Sequence, residues 1–319
     1  MEENKEHGMQ SADISVEKRS RGFLRDFAAG ACIGVAFIIP GFSGGSIAAI
    51  LGIYEKLIEA IANIFKEMKK SIVTLLPIGI GLVFGAAALL FPLELLLERF
   101  PLPTVSVFVG LAVGGLPTIF DKVKGKPQWQ EITSLSVALV FAAMLSFIPV
   151  GADVDLFSIG FGGYILLFLV GLIASCALVV PGISGSMLLL ILGYYNSIIN
   201  LITDYFLRFE NVGKCILVLG SCGLGIACGF IIISILMKNL LKRFPRQTYY
   251  AIIGFILGSL PTVYVSTMKS SGMLTTSLEL VHAPTSVAHY VVCAFLVIMG
   301  VCASYNFAVI LGKKNQPVE

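Results

Sequence analysis

The sequence predicts an all-α polytopic membrane protein built as an inverted-topology internal repeat. Apolar residues make up 57% of the 319 residues and charged residues only 13%, whereas about a quarter of the residues in soluble domains are charged. Several apolar runs reach the ~20 residues that a membrane-spanning helix needs. Two pairs of motifs also recur in the same order along the chain. Composition, run length and repetition therefore agree on the fold class.

The same pattern divides the chain into four parts. Residues 1–21 form a polar arm of mixed charge without the apolar run of a signal peptide, and we expect this arm to be disordered. Residues 22–150 and 151–312 are the two membrane repeats, each with a re-entrant or broken-helix hairpin and about three transmembrane helices. Residues 313–319 are expected to form a short polar tail.

The first repeat opens with a helix break. Pro40–Ser46 has the sequence PGFSGGS and separates the apolar run Asp26–Ile39 from the run Ile47–Phe65. Proline and paired glycines break helices and leave backbone amides unpaired. In a bilayer, irregular backbone survives only inside protein or beside a polar cavity. Because the first run is also shorter than a spanning helix, we expect a half-helix that ends at a cavity.

This break occurs twice. Pro181–Ser186 has the sequence PGISGS and follows the first copy by 141 residues. At the same offset, Gly52 matches Gly193 and Tyr54 matches Tyr195. The second hairpin is therefore expected to repeat the first one beyond the break itself.

A second motif supports the duplication of the chain. Arg99–Pro101 has the sequence RFP and recurs as Arg243–Pro245, 144 residues later. Each copy is followed by the sequence LPT, at Leu116–Thr118 and at Leu260–Thr262. Two ordered motifs at nearly one spacing indicate an internal duplication.

Charge and run count together predict the topology. Each repeat holds an odd number of apolar runs, so the second repeat must enter the membrane from the opposite side. If the N-terminus is cytoplasmic, most of the 22 Lys and Arg residues fall in cytoplasmic segments, as the positive-inside rule requires. We therefore expect both termini in the cytoplasm. The first hairpin would open from the cytoplasmic face and the second from the outer face.

The two hairpins are the predicted substrate-binding site. A broken helix points free backbone donors and its positive dipole end at whatever fills the cavity. Serine hydroxyls beside such amides form a nest suited to phosphate. We therefore predict a site for an anion or an anionic headgroup; the alternative is a purely structural kink. The candidate residues are Ser43, Gly44, Gly45, Ser46, Ser184, Gly185 and Ser186.

Four further candidates follow the hairpin motifs in the sequence. Tyr54 and Tyr195 occupy equivalent positions in the two hairpins. Glu55 and Lys56 are charges inside or at the edge of an apolar run, and intramembrane charges are candidate functional residues. The alternative for Glu55 and Lys56 is an interfacial position or a pair between the two. Asn196 and Ser197 replace these charges in the second repeat, so a role for the charges would be asymmetric.

The repeated arginines are candidates for phosphate capture. Arg99 and Arg243 are equivalent and are predicted to lie on opposite faces of the membrane. For Arg99 the alternative is an interfacial salt bridge with Glu94 or Glu98.

Other classes of chemistry have little support in the sequence. The seven cysteines show no CxxC spacing, which argues against a metal site or a disulfide framework. Three histidines and a net charge of +3 give no reason to expect histidine catalysis or nucleic-acid binding. We therefore predict no metal, no cofactor and no enzymatic activity.

The doubled PG-x-SG motif, with LGIYE after the first copy and LGYY after the second, resembles a bacterial family of polyprenyl-phosphate transporters of the PopT type. The resemblance covers about Gly22 to Leu311. It implies a translocase (flippase) that returns undecaprenyl phosphate from the outer to the cytoplasmic leaflet of the cell membrane for cell-wall synthesis. It also implies that the serine–glycine hairpins, Ser43–Ser46 and Ser184–Ser186, bind the substrate.

Two other functions remain open at this stage. A small-anion transporter or channel would use the same helix ends but would have a sealed pore. A polyprenyl-diphosphate phosphatase would need an acid or base among its phosphate binders, and only Glu55 is close in the sequence. The expected partners are a polyprenyl phosphate and membrane lipid. The sequence leaves open a coupling ion, H⁺ or Na⁺, and the oligomeric state.

Overall fold

The computed structural model describes residues 22–37, 43–145, 147–149, 151–270, 273 and 287–313. Within these ranges the chain forms helices joined by turns and no strand. The predicted arm, residues 314–319 of the predicted tail and Pro40, Gly41 and Phe42 of the first break lie outside the described residues. The helices are α1 (22–37), α2 (Gly44–Ile50), α3 (Tyr54–Ala62), α4 (Met68–Arg99), α5 (Pro101–Phe120), α6 (Trp129–Leu145), α7 (Phe161–Val179), α8 (Gly185–Ile191), α9 (Tyr195–Asn200), α10 (Val212–Arg243), α11 (Pro245–Ser270) and α12 (Val287–Lys313), with a π-helical turn at Leu201–Phe206.

Five of the described helices, α4, α5, α10, α11 and α12, are long and apolar enough to cross a membrane. Helices α6 and α7 are apolar but shorter. Large apolar side chains such as Phe91 and Phe161 are 76% and 82% exposed. Lipid suits an apolar surface of this extent, whereas a soluble monomer rarely shows one. The chain is therefore a multi-pass membrane protein, as the sequence predicts.

Each hairpin contains a second break that the apolar runs do not reveal. The sequence after each serine–glycine motif reads as one continuous apolar run, Ile47–Phe65 in the first hairpin and Met187–Phe206 in the second, but each run contains two short α-helices. The turn between these helices is at Gly52 in the first hairpin and at Gly193 in the second, with φ of +68° and +78°. Glycine is favoured at both turns because side chains rarely adopt a positive φ. In the second hairpin the two helical segments are bent by 104°.

The two turns also have the same hydrogen bonds. Ile53 N–H donates to the Ala48 carbonyl at 3.0 Å, and Tyr194 N–H donates to the Leu189 carbonyl at 2.9 Å. Together with the glycine in the left-handed conformation, this bond defines a Schellman helix end. The sequence repeat thus produces the same local backbone twice.

Glycines bring the long helices into close contact at equivalent positions. A β-carbon at Gly30 of α1 would lie 2.1 Å from the carbonyl oxygen of Ile78 in α4. A β-carbon at Gly171 of α7 would lie 2.2 Å from the carbonyl oxygen of Cys222 in α10. Only glycine permits such an approach of two backbones, as in other small-residue helix interfaces of membrane proteins. The pair α1–α4 is therefore matched by the pair α7–α10.

The last helix of each half packs against the other half. Gly110 of α5 contacts the backbone of Val297 in α12, and Gly254 of α11 contacts the backbone of Leu135 in α6. A β-carbon at either glycine would lie 2.2 Å from the facing carbonyl oxygen. The two halves of the sequence therefore interlock.

The two hairpins pack at different ends of α10. This helix has 32 residues and is about 48 Å long at 1.5 Å per residue. Near its C-terminus, Lys238 Nζ donates to Asn63 Oδ1 at 2.6 Å, just after α3. Near its N-terminus, Cys215 packs in a buried cluster with Leu201, just after α9. The first hairpin therefore meets one end of α10 and the second hairpin the other.

Candidate functional site

The first hairpin places a buried serine where α2 begins. Ser43 precedes the helix with an extended backbone, and its side chain does not cap the helix. The residue is 5% exposed, and its Oγ has no hydrogen-bond partner among the described residues. Ser46, the third residue of the helix, is also buried. Since the first amides of a helix have no carbonyl partner inside it, hydroxyl and amide donors are available together at this point.

The two glycines of this motif allow close packing. A β-carbon at Gly44 would lie 2.9 Å from the ring of Phe37 in α1. A β-carbon at Gly45 would lie 3.2 Å from the carbonyl oxygen of Val179 and 3.3 Å from the backbone nitrogen of Pro181. The first motif therefore lies directly against the start of the second one.

The second hairpin places Ser184 and Ser186 at the start of α8 with a backbone similar to that at the start of α2. Gly182 has φ of +86°, and a β-carbon there would lie 2.3 Å from the carbonyl carbon of Phe255 in α11. Ser184 precedes α8 with an extended backbone, as Ser43 precedes α2. Ser184 is buried, and its Oγ lies 3.0 Å from the Oγ of Ser186. Gly185 begins α8.

Tyr54 joins the two hairpins. Its hydroxyl donates to the carbonyl oxygen of Val179, the last residue of α7, at 3.1 Å, and the contact is buried. The last carbonyls of a helix have no amide partner inside it, so Tyr54 satisfies one of these groups. Tyr195 is partly buried, and its hydroxyl forms no hydrogen bond with another described residue. The equivalent tyrosines thus have different surroundings.

Glu55 and Lys56 pair with other elements and not with each other. Lys56 Nζ forms an ion pair with the mostly buried Asp26 of α1. Glu55 Oε1 accepts a hydrogen bond from the hydroxyl of Tyr249 in α11 and lies 3.3 Å from Nζ of Lys122. These contacts tie the first hairpin to α1, to the segment after α5 and to α11.

The sequence did not identify Asp26 as the partner of Lys56 or Tyr249 as the partner of Glu55. Asp26 is the acidic residue at the start of the first apolar run, which is a signal that could have been used. Tyr249 has no such signal, because its counterpart in the first repeat is Val105. Both residues border the cytoplasmic end that the sequence predicts.

The matching contacts of the second hairpin are weaker. Asn196 Nδ2 donates to Oδ1 of Asp153 at 3.1 Å in an exposed position. Ser197 Oγ donates to the carbonyl oxygen of Gly193 in its own hairpin. In the loop before α7, the backbone amide of Phe157 holds the pKa of Asp155 below its ordinary value. At the positions of Glu55 and Lys56, the second hairpin therefore makes a hydrogen bond to an acidic loop in place of ion pairs.

The two repeated arginines lie at the C-terminal ends of long helices. Arg99 ends α4 and Arg243 ends α10, and both are exposed. The guanidinium of Arg243 lies 5.6 Å from the ring centroid of Phe244. Arg99 forms no ion pair and no hydrogen bond within the described ranges, so the salt bridge with Glu94 or Glu98 is not formed.

The serine–glycine motifs offer hydrogen-bond donors. Among the described residues, neither Ser43 nor Ser184 has a general base hydrogen-bonded to its hydroxyl. Ser43 Oγ has no described partner, and the partner of Ser184 Oγ is another hydroxyl. Among the residues that the structure describes, no group of three or more His, Cys, Asp or Glu side chains could hold a metal ion. The donor set therefore suits binding of an anion by hydroxyl and amide groups.

Comparison with protein families identifies the group of proteins to which the chain is related. The family model described as VCA0040-like, undecaprenyl phosphate translocase-like, matches residues 33–281. The chain belongs to this family. The match extends from the second half of α1 beyond the end of α11 and so includes both hairpins. No curated protein and no solved structure matched the chain.

Proposed function

We propose that this protein is an undecaprenyl phosphate flippase, which returns the lipid carrier from the outer to the cytoplasmic leaflet for cell-wall polymer synthesis. The family description names this substrate and a translocase-like activity. The observation that carries the proposal is the junction of the two hairpins. There Gly45 packs against Val179 and Pro181, next to the buried hydroxyl of Ser43, which has no hydrogen-bond partner among the described residues.

The phosphate binds at this junction through hydroxyl and amide donors. Hydrogen bonds to an ionised acceptor are about twice as strong as neutral ones, so a phosphate gains more from these donors than an uncharged headgroup. The prenyl chain stays in lipid, because the surrounding helices are apolar. The binding residues are Ser43, Gly44, Gly45, Ser46, Ser184, Gly185 and Ser186.

The charged and aromatic candidates act by holding the hairpins. Tyr54 fixes the end of α7 through its hydrogen bond with Val179. Glu55 and Lys56 fix α3 against three neighbouring segments. These residues set the position of the donors, and Tyr195 lies at the equivalent position of the second hairpin.

Transport follows from an inverted repeat, with residues 22–150 and 151–312 as its halves. Two observations support the repeat: equivalent glycine contacts in α1–α4 and α7–α10, and attachment of the two hairpins at opposite ends of α10. Inverted repeats bind substrate at their interface and expose it alternately to the two sides. The protein would lie in the bacterial cytoplasmic membrane with both termini in the cytoplasm, as the distribution of basic residues indicates.

The test uses purified protein in liposomes that contain undecaprenyl phosphate, with a headgroup probe that reads leaflet accessibility. Wild-type protein should accelerate movement between the leaflets. The double variant Ser43→Ala/Ser184→Ala should reduce the rate about tenfold or more, since each lost hydrogen bond to a charged group is worth about 1.5–3 kcal/mol. Ser234→Ala is the matched control, because it removes a buried hydroxyl of α10, outside the hairpins, that likewise has no partner in the part of the chain that the structure describes.

Two results would contradict the proposal. One is the absence of lipid movement with wild-type protein under every imposed H⁺ or Na⁺ gradient. The other is equal loss of transport in the double variant and in Ser234→Ala. Flux of inorganic phosphate or chloride without lipid movement would indicate a small-anion transporter. Release of inorganic phosphate from undecaprenyl diphosphate would indicate a phosphatase.

A further inference from the structure

An apolar groove lies between α1, α4, α5 and α12. Its volume is about 410 Å³, within the range of ligand pockets. Leu93 and Leu96 of α4, Phe108 of α5 and Leu296 of α12 form its walls. Pro92 also lines it, and a proline inside a helix removes a backbone hydrogen bond and bends the helix.

One end of the groove is lined by the residues that flank Arg99 at the end of α4. Leu96 and Phe100 line the groove on either side of Arg99 in the sequence. Arg99 is exposed, and its guanidinium forms no ion pair or hydrogen bond with another described residue. An arginine in this position presents a rigid fork of donors that matches phosphate geometry.

The other wall of the groove leads to the first hairpin. Val35 of α1 lines the groove. Two residues later, Phe37 contacts the position where Gly44 begins α2. The groove therefore connects the Arg99 end of α4 with the helix that packs against the serine–glycine motif.

The equivalent junction of the second repeat is already occupied. Leu102 and Pro103 of the first repeat correspond to Arg246 and Gln247 in the second. Arg246 Nε lies 2.7 Å from Oε1 of Glu131, whose side chain is only 2% exposed. Arg246 also donates to the carbonyl oxygen of Lys126 at 2.9 Å. Charges and backbone therefore tie down the α10–α11 junction, whereas the α4–α5 junction offers an open apolar groove.

We propose that this groove is the loading site for a polyprenyl phosphate, with the prenyl chain in the groove and the phosphate held by Arg99. The inference rests on the proposed function and adds the side of the membrane from which the lipid enters. Loading occurs at the α4–α5 end, which the distribution of basic residues puts on the outer face. The phosphate then moves along α1 to the serines of the first hairpin.

The test is photolabelling of the full-length protein in nanodiscs with a polyprenyl phosphate that carries a photoreactive group on its prenyl chain. Labelled peptides are identified by mass spectrometry. We expect labelling of α4 and α5 that unlabelled undecaprenyl phosphate competes away. Undecaprenol and phosphatidylglycerol should compete at least about tenfold less well, because neither combines the prenyl chain with a phosphate monoester.

Two groove variants test the position of the chain. Leu96→Trp and Val107→Trp fill the groove from α4 and from α5, and each should lower the competed labelling about tenfold. Val83→Trp is the matched control, because it places tryptophan on another apolar groove of α4. Arg99→Gln should remove the advantage of undecaprenyl phosphate over undecaprenol and leave labelling by the chain in place.

The outcomes separate the two proposals. Transport by wild-type protein without competed labelling of α4 and α5 would contradict the groove and leave the flippase standing. Competed labelling without any lipid movement would contradict the flippase and leave a lipid-binding groove. Equal competition by phosphatidylglycerol would show a general lipid contact and overturn the inference. A loss of labelling in Val83→Trp as large as that in Leu96→Trp would overturn it as well.

Discussion

The two hairpins have nearly the same sequence and turn geometry but very different surroundings. Helix α2 buries most of its seven residues, whereas none of the residues of α8 is buried. Lys56 of the first hairpin pairs with the mostly buried Asp26, whereas Asn196 of the second makes an exposed contact with Asp153. The first hairpin is therefore buried in the core, whereas the second is less buried and is held against the loop before α7 by backbone hydrogen bonds from Gly151 and Val154. The alternating access proposed for this protein requires this kind of difference between its two predicted repeats at any moment.

The difference also shows which structural features a repeated sequence reproduces and which it does not. The backbone turns at Gly52 and Gly193 are equivalent because they depend on local residues. The contacts outside each hairpin are not equivalent, because they depend on neighbours that have diverged. Three pairs of variants measure how far this asymmetry extends.

The largest expected effect is at the two turns. Gly193→Ala forces a side chain into a positive φ and places its β-carbon 2.1 Å from the carbonyl oxygen of Ala152. Gly52→Ala has the same backbone cost, about 1–2 kcal/mol, but no atom lies within 4 Å of the added carbon. Thermal unfolding in detergent should therefore show a clearly lower melting temperature for Gly193→Ala. Equal shifts would mean that the loop at Ala152 moves freely and that the asymmetry is smaller than the structure indicates.

The next effect concerns the anchoring charge. Lys56→Ala leaves the carboxylate of Asp26 without its ion-pair partner. The Asp26 side chain is only 11% exposed, so water cannot fully replace that partner. The expected loss of stability is about 1–3 kcal/mol. Asn196→Ala removes an exposed contact and should change stability by no more than about 0.5 kcal/mol. The measurement is unfolding in detergent with increasing denaturant, and the double variant Asp26→Asn/Lys56→Ala should recover part of the loss. No recovery would exclude the unpaired carboxylate as the cause.

The smallest expected effect is at the equivalent tyrosines. Tyr54→Phe removes the buried hydrogen bond to the carbonyl of Val179 and should cost about 0.5–1.5 kcal/mol of stability. Tyr195→Phe loses no described hydrogen bond and should be close to neutral. Lipid movement in liposomes should fall in Tyr54→Phe and stay at the wild-type rate in Tyr195→Phe. Wild-type transport rates in both variants would show that the hydrogen bond of Tyr54 to Val179 is not needed to couple the two hairpins.

Much of the candidate site was predictable, and the reasons are local. Pro181, Gly182 and Gly193 disrupt helices wherever they occur, because of their own backbone properties. The repetition of these residues indicated two equivalent elements before any contact was known. The second break inside each hairpin was missed, because a single glycine in an apolar run does not by itself distinguish a turn from a packing position.

The partners of the site residues could not be predicted from the sequence. Glu55 and Lys56 are neighbours in the chain, yet they pair with Tyr249 and Asp26 on two different helices. Arg99 and Arg243 are equivalent in the sequence, but only Arg243 has a described aromatic partner. Side-chain partners depend on which helix faces share an interface, and no local pattern encodes that choice.

The amino-acid sequence by itself determined the membrane class and the recurrence of the serine–glycine motif, and from these it predicted a duplicated fold. These features follow from the hydrophobicity and backbone preferences of residues that are close together in the chain. Only the tertiary structure decided that α12 packs against α5, that α6 packs against α11 and that Gly45 meets Pro181. The reason is physical: close contact between two backbones requires glycine on one helix and a matching surface on a distant one. That match exists only once the helices have packed together.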